Sequence, residues 1–180
     1  MKKIIQFLLA CSLALLLLGG CNSTSQAPAD VSSETEKLVF AATTLDGTPI
    51  DSSIFASYDL TMVNIWASWC GPCVGEMPGL EELRTRLPEG VNLLGICIDG
   101  EKDPATVEAV VLETGIQYPS IVPNTELDEN FLSKIQYLPT TVFVDSQGNL
   151  VGEFMISAPT SNVADTYLAA IEERLAMLSK

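Results

Sequence analysis

The feature that binds this chain most tightly is a pair of cysteines two residues apart, Trp69-Cys70-Gly71-Pro72-Cys73, lodged where a strand must turn into a helix. Ahead of it, Thr61-Met62-Val63-Asn64-Ile65-Trp66 is rich in β-branched and aromatic residues, a strand signal. Behind it, Cys73, Met77, Leu80, Leu83 and Leu87 recur at helical spacing, which predicts one buried helix face from about Gly71 to Leu87. Cys70 then falls at the helix N-cap or just before it, where unpaired N–H groups and the macrodipole favour an anion. A thiolate at such a place is expected well below the free ~8.5, in the ~3.5–7.5 range. Cys73, one turn further in, is covered by the first cysteine and can attack a mixed disulfide formed at it. Pro72 near the helix start costs no hydrogen bond, whereas Pro78 inside the helix removes a donor and is expected to kink it.

Two other uses of such a pair exist. Half of a zinc site would need two more ligands, and beyond the pair only Cys97 and carboxylates remain for the later part of the chain. A structural disulfide is the other, suited to an oxidising, exported setting. So small a loop gains little closure entropy, which makes it a poor staple and a good switch.

The rest reads as alternating strands and helices. Leu38 to Thr44, the Asp46-Gly47 turn and Pro49-Ile50 predict a small hairpin. Val91 to Ile98 is a continuous apolar run, the mark of a central parallel strand buried on both faces. Pro104 to Glu113 is helical, with Asp103 as N-cap and Gly115 past the end. Pro119 to Val122 is a short strand and Glu126 to Ile135 a short helix. Thr140 to Val144 and Asn149 to Met155 flank Ser146-Gln147-Gly148 as a hairpin, and an amphipathic helix runs from about Asn162 to Leu178. The order is βαβαβαββα after an N-terminal hairpin, a three-layer α/β domain with a mixed sheet.

The N-terminus reads as an address. Met1-Lys2-Lys3 is followed by about fifteen apolar residues and then Leu18-Gly19-Gly20-Cys21, too short a run for a stable membrane span of ~20 residues. Residues 1–20 are expected to be a signal peptide. The small residues before Cys21 resemble a bacterial lipobox, in which the cysteine is lipidated and becomes the mature N-terminus. Residues 22–37 are small and polar and predict a disordered tether with a reach of ~22 Å, at ~5–6 Å × √n. The folded domain is then expected over 38–180.

Charge and composition narrow the chemistry. The chain carries net −14, and losing Lys2 and Lys3 with the signal would take it to −16. So negative a surface repels phosphate backbones, which argues against nucleic acid as a partner. There is no histidine, so Ser-His-Asp and Cys-His nucleophiles, His-ligated metals and His pH switches are all excluded. No metal or other cofactor is expected.

Val63 to Cys73 (VNIWASWCGPC), followed by Glu76-Met77-Pro78, Tyr137-Leu138-Pro139-Thr140-Thr141-Val142-Phe143-Val144-Asp145 and Gly148, resembles the thioredoxin superfamily. More narrowly it is similar to the membrane-tethered, extracytoplasmic TlpA/ResA-type thiol-disulfide oxidoreductases, over about residues 38–178. The resemblance implies a thioredoxin-like three-layer fold with an extra strand and helix near 119–135. It implies Cys70 as nucleophile, Cys73 as resolving thiol, the two forming a redox-active disulfide, and Pro139 in cis facing them. The backbone of Leu138 would pair with an extended client, with Trp69 beside the disulfide and Pro72 also on the client-facing surface. Trp69 is expected to pack against apolar neighbours as well. Ordinary thioredoxins carry a buried Asp beneath the site; here Asn64 stands there and cannot act as a base. The TlpA/ResA branch instead has a Glu where Glu76 lies, one turn from Cys73 and able to influence its proton, unless it is simply a solvated first-turn acid. Cys97 reads as a small buried hydrophobe, with a regulatory or intermolecular thiol as the alternative, and Asp99 as a loop cap.

By the same resemblance the chain is expected to be an enzyme and a monomer, lipid-anchored on the outer face of the cell membrane. Its expected action is to reduce disulfides of exported proteins. Clients would be a cytochrome c maturation substrate, a methionine sulfoxide reductase or another thioredoxin-like protein, and electrons would come from a CcdA/DsbD-type membrane donor. A disulfide-forming oxidase of the same fold and a non-catalytic surface-binding lipoprotein are the alternatives.

Overall fold

The computed structural model describes residues 36–179. The predicted signal peptide, Cys21 and most of the predicted tether lie outside the described residues. Glu36 and Lys37, assigned to the tether above, are already part of the domain: Lys37 bridges Asn149, and the Leu150 N–H donates to the Glu36 carbonyl at 2.9 Å.

Seven strands form one mixed sheet in the order β2-β1-β5-β4-β3-β6-β7. β1 (Ala41–Thr44) and β2 (Pro49–Asp51) are the predicted hairpin, and β1 also pairs antiparallel with β5 (Ser120–Val122). β3 (Leu60–Trp66) and β4 (Val91–Cys97) run parallel at the centre, as two nearly continuous apolar segments require. β6 (Thr140–Asp145) lies antiparallel to β3, and β7 (Met155–Ile156) closes the edge.

Strand alternation divides the core into two. Leu60, Met62 and Trp66 face α1 (Gly71–Arg84), α2 (Pro104–Thr114) and α4 (Val163–Leu178), meeting Met77, Leu80, Val107, Tyr167 and Ile171. Val63 and Ile65 face the other way, onto Phe40, Phe55, Leu127 and Phe131. That second layer is thin, built from a 3-10 turn (Ser52–Ser57), α3 (Thr125–Asn130) and another 3-10 turn (Leu132–Lys134).

Several elements start and stop for visible reasons. The Asp103 carboxylate accepts the Thr106 N–H, Pro104 takes the first turn of α2, and Gly115 ends it at φ +69°, where a Cβ would be strained. α1 stops at Arg84 rather than Leu87, because the Thr85 hydroxyl and N–H turn back to the Glu82 carbonyl. Pro78 does fall inside it. The predicted helix over 126–135 is broken at Phe131, which leaves helical geometry at φ −130° to drop its ring into the second core layer. The predicted return strand over 149–155 is also interrupted. Leu150 and Val151 bond across to β6, Gly152 then turns at φ +71°, and the Arg174 guanidinium takes the Glu153 carbonyl at 3.1 Å before β7 resumes.

At the sheet centre Gly95 has no room for a side chain. A Cβ there would sit 2.2 Å from Ser120 Oγ and 3.0 Å from the Trp66 indole nitrogen, which itself donates to Ser120 Oγ at 3.3 Å. This close approach lets β5 lie flat against β4, below the loop that leaves β3 for the cysteine pair.

Candidate active site

β3 ends at Trp66, and the next residues turn sharply. The Cys70 N–H donates to the Ala67 carbonyl at 3.1 Å, while the backbone N–H of Ser68 is held by the Asp99 carboxylate. α1 then starts with Cys70 as N-cap, its Sγ accepting the Cys73 N–H at 3.3 Å. Cys70 and Cys73 are joined in a disulfide, their Cα atoms 5.2 Å apart, with Cys73 the more deeply buried. The helix therefore presents to a sulfur the backbone donor that an N-cap oxygen would otherwise satisfy.

The Leu138–Pro139 peptide bond is cis. Continuing the antiparallel pairing of Asn64 with Thr141 and Ile65 with Thr140 brings Pro139 beside Trp66, where the cysteine loop begins. The Pro139 carbonyl is used by the Ser157 N–H and the Tyr137 carbonyl by the Thr140 hydroxyl. Between them, the N–H and carbonyl of Leu138 have no hydrogen-bond partner among the described residues.

Trp69 departs from expectation. Its side chain does not pack into apolar surroundings; it is 69% exposed, held out by the tight turn between the Ser68 anchor and the helix start. Together with Tyr137 and Leu138 it edges a groove of about 480 Å³ floored by Ile65, Ile98 and Leu132. Pro72 is exposed but lies outside this groove.

Glu76 is not a solvated acid. It is 2% exposed, with Oε1 accepting the Asn64 amide at 2.9 Å and Oε2 the Tyr167 hydroxyl at 2.9 Å. Burial pushes its carboxyl above the ordinary range, and the two hydrogen bonds pull partly back. Asn64, buried in β3, also donates to Thr141 Oγ1 at 3.1 Å. Thr141 and Tyr167 escaped sequence reasoning. The signal was present for Tyr167: it sits with Ala164, Ala170 and Ile171 on the buried face of α4, and a buried phenol needs a partner.

Cys97 is buried and unbridged, its thiol donating to Asp99 Oδ1 at 3.3 Å; desolvation first, then the neighbouring carboxylate, drive its pKa far upward. A thiol so disfavoured as thiolate is no nucleophile. Asp99 caps a loop as expected, and the loop is the one that carries the cysteine pair.

Comparison with known proteins accords with this geometry. The Redoxin family model matches residues 23–168. The thiol-disulfide oxidoreductase ResA of Oceanobacillus iheyensis is 32% identical over 125 residues, covering 66% of this chain and 62% of that relative, so somewhat under two thirds of its length is matched. ResA of Bacillus anthracis is 28% identical over 133 residues, covering 73% of this chain and 74% of the relative. Among solved structures, a thiol:disulfide interchange protein of the thioredoxin family from Chlorobium tepidum superposes with a TM-score of 0.65 at 26% identity, covering 78% of this chain and 96% of that one. With the family model matched across most of its length, on a thioredoxin fold that carries a cysteine pair at a helix start, the chain belongs to the Redoxin family, and ResA-type thiol-disulfide oxidoreductases are among the proteins it is similar to.

Proposed function

We propose that the chain is an extracytoplasmic, membrane-anchored thiol-disulfide oxidoreductase that reduces disulfides in exported proteins. The observation that carries this is the Cys70–Cys73 disulfide at the N-cap of α1, beside a Leu138 backbone that has no hydrogen-bond partner among the described residues. An extended client strand would pair with Leu138 and lie along Trp69, with Pro72 at the margin of the contact. In the reduced enzyme the Cys70 thiolate attacks one client sulfur, forming a mixed disulfide and expelling the other as thiolate. Cys73 then gives up its proton and attacks Cys70 Sγ. The Cys70–client bond breaks, the second client sulfur leaves as thiolate to be protonated from solvent, and two electrons have passed from the dithiol to the client. Glu76, one turn from Cys73 on the same helix, is the group placed to take that proton.

The names of the ResA relatives support the chemistry, and the Cys21 lipobox supports the anchor. No described helix is long and apolar enough to cross a membrane. The clients that fit are a cytochrome c maturation substrate, a methionine sulfoxide reductase or another thioredoxin-like protein, with a CcdA/DsbD-type membrane donor returning electrons.

The test is the reduction potential of the full chain in detergent, equilibrated against glutathione and dithiothreitol, with Cys73→Ser as the control that cannot cycle. A value near or below about −250 mV supports client reduction, whereas about −120 to −150 mV makes the chain a disulfide donor instead. No two-electron couple at all returns it to a binding role. Labelling with a palmitate analogue, lost in Cys21→Ala, tests the anchor.

A further inference from the structure

Four buried side chains from four elements close a ring of hydrogen bonds behind the cysteine pair. The Asn64 amide, from β3, spends one proton on Glu76 Oε1 at 2.9 Å and the other on Thr141 Oγ1 at 3.1 Å. The Thr141 hydroxyl, from β6, donates to the Tyr167 oxygen at 3.3 Å. The Tyr167 hydroxyl, from α4, donates to Glu76 Oε2 at 2.9 Å. Each proton is used once, and every donor chain ends on Glu76, so both carboxylate oxygens are left as acceptors only.

We propose that Tyr167 is a positioning residue for the dithiol chemistry: its hydroxyl holds Glu76 as an acceptor-only carboxylate, ready to take the Cys73 proton, and thereby sets the lowest pH at which the mixed disulfide is resolved. This rests on the proposed reductase reading of the site. In the step concerned, the Cys73 S–H proton passes to Glu76, the Cys73–Cys70 bond forms, and the Cys70–client bond breaks with the client sulfur leaving as thiolate. Glu76 can accept only if it is ionised beforehand.

The surroundings leave this task to neutral donors. Facing Glu76 are Cys73 on its own helix, Asn64 on β3, Thr141 on β6, Tyr167 on α4 and Tyr118 ahead of β5, whose buried hydroxyl has no partner and feels the Glu76 charge. Glu81, whose charge also reaches Tyr118, is itself paired with Arg84. No Lys or Arg among the described residues forms a hydrogen bond or ion pair with Glu76. Burial pushes the acid toward its protonated form, and the Asn64 and Tyr167 donors pull it back toward the carboxylate. Of these, the Tyr167 hydroxyl has a further donor behind it, in Thr141, that strengthens it.

The experiment is single-turnover reduction of a peptide disulfide by the reduced full chain, followed across about pH 5 to 9. Tyr167→Phe keeps the ring and removes the proton given to Oε2. The acid limb of the rate is expected to move up by about one pH unit, a roughly tenfold loss at its acid end with the alkaline plateau unchanged. In a Glu76→Gln background the same substitution should do nothing further. A folded Tyr167→Phe whose limb stays in place, or whose rate falls equally at every pH, overturns the proposal. Should Tyr167→Phe not fold, Thr141→Val, which withdraws the supporting donor, must move the limb the same way by a smaller amount, and its failure to do so is equally decisive. A wild-type chain that reduces no disulfide at any pH overturns the reductase reading and this inference with it, an outcome distinct from wild-type activity with an unmoved limb.

Discussion

The Asp99 carboxylate accepts the Ser68 hydroxyl at 2.6 Å and the Ser68 backbone N–H at 3.1 Å, tying the end of β4 to the loop two residues before Cys70. Asp99 is 5% exposed, so these bonds are largely sheltered from water. They fix the turn that throws Trp69 outward and delivers Cys70 to the helix start. Asp99→Ala leaves the Ser68 N–H without a partner and should cost about 1–3 kcal/mol in denaturant unfolding. Hydrogen exchange at Ser68 and Trp69 should quicken more than at the β3 amides. Uniform acceleration across β3 would show that the pair is only one contribution among many to global stability.

Trp69 offers the opposite case, a large apolar side chain that contributes little to the fold. At 69% exposure, Trp69→Ala should leave the thermal midpoint almost unchanged. The groove it edges with Tyr137 and Leu138 would lose one wall, so kcat/KM for a protein disulfide should fall about tenfold or more while a small disulfide such as oxidised glutathione is barely affected. A midpoint several degrees lower would mean the indole packs against the domain in solution.

Glu76 links the site to stability through pH. Its folded-state pKa is raised by burial, so above the unfolded value of 4.5 the folded chain holds the proton more tightly than the unfolded chain does. Protonated Glu76 therefore favours folding at low pH, and this advantage fades as pH rises through the folded pKa. Glu76→Gln abolishes the titration, and glutamine can still accept from Asn64 while offering its amide to the Tyr167 oxygen. Relative to wild type, the variant should gain stability as pH rises above about 4.5 and hold that gain once the pH has passed the raised folded-state value. Thermal melts at several pH values in that range check the slope. A difference that shrinks with rising pH would show that the carboxylate is stabilised by its donors more than burial costs it.

The sequence carried the redox pair, the strand and helix on either side of it, and the capped helix α2, because each is written in neighbouring residues: a turn dipeptide, an N-cap, a left-handed glycine. Pro139 became readable as cis only through its family motif, since a proline before a strand is ordinarily trans. What local reading could not reach was contact across the chain. Glu76 looks like any first-turn acid until Tyr167, 91 residues later, and Asn64, on the strand before, close over it. The same holds for Glu36 and Lys37, polar residues that resemble a tether and yet pair with the turn at 148–150. Trp69 differs from its sequence expectation for the converse reason: its hydrophobicity predicts burial, while the backbone geometry set by Ser68 and Cys70 points it outward.

Packing of α1 on α4 supplies a prediction in which two effects of opposite sign compete. Gly79 lies inside α1, where alanine would ordinarily stabilise the helix by about 1 kcal/mol. A Cβ at Gly79 would come within 2.5 Å of the Val163 Cβ and 2.8 Å of its Cγ1, at the first residue of α4. The atom struck is the root of a β-branched side chain, which cannot swing aside without shifting the helix behind it. Overpacking of this kind costs about 1–3 kcal/mol, so the clash outweighs the helix propensity and Gly79→Ala should destabilise the domain. α4 also carries Tyr167, so a displaced α4 should loosen its hydrogen bond to Glu76 and slow client reduction at the acid end of the pH range. Removing the obstacle reverses the sign: in a Val163→Gly background, Gly79→Ala should become stabilising in urea unfolding. A destabilisation that persists in that background would mean that Gly79 is required by something other than the approach of α4.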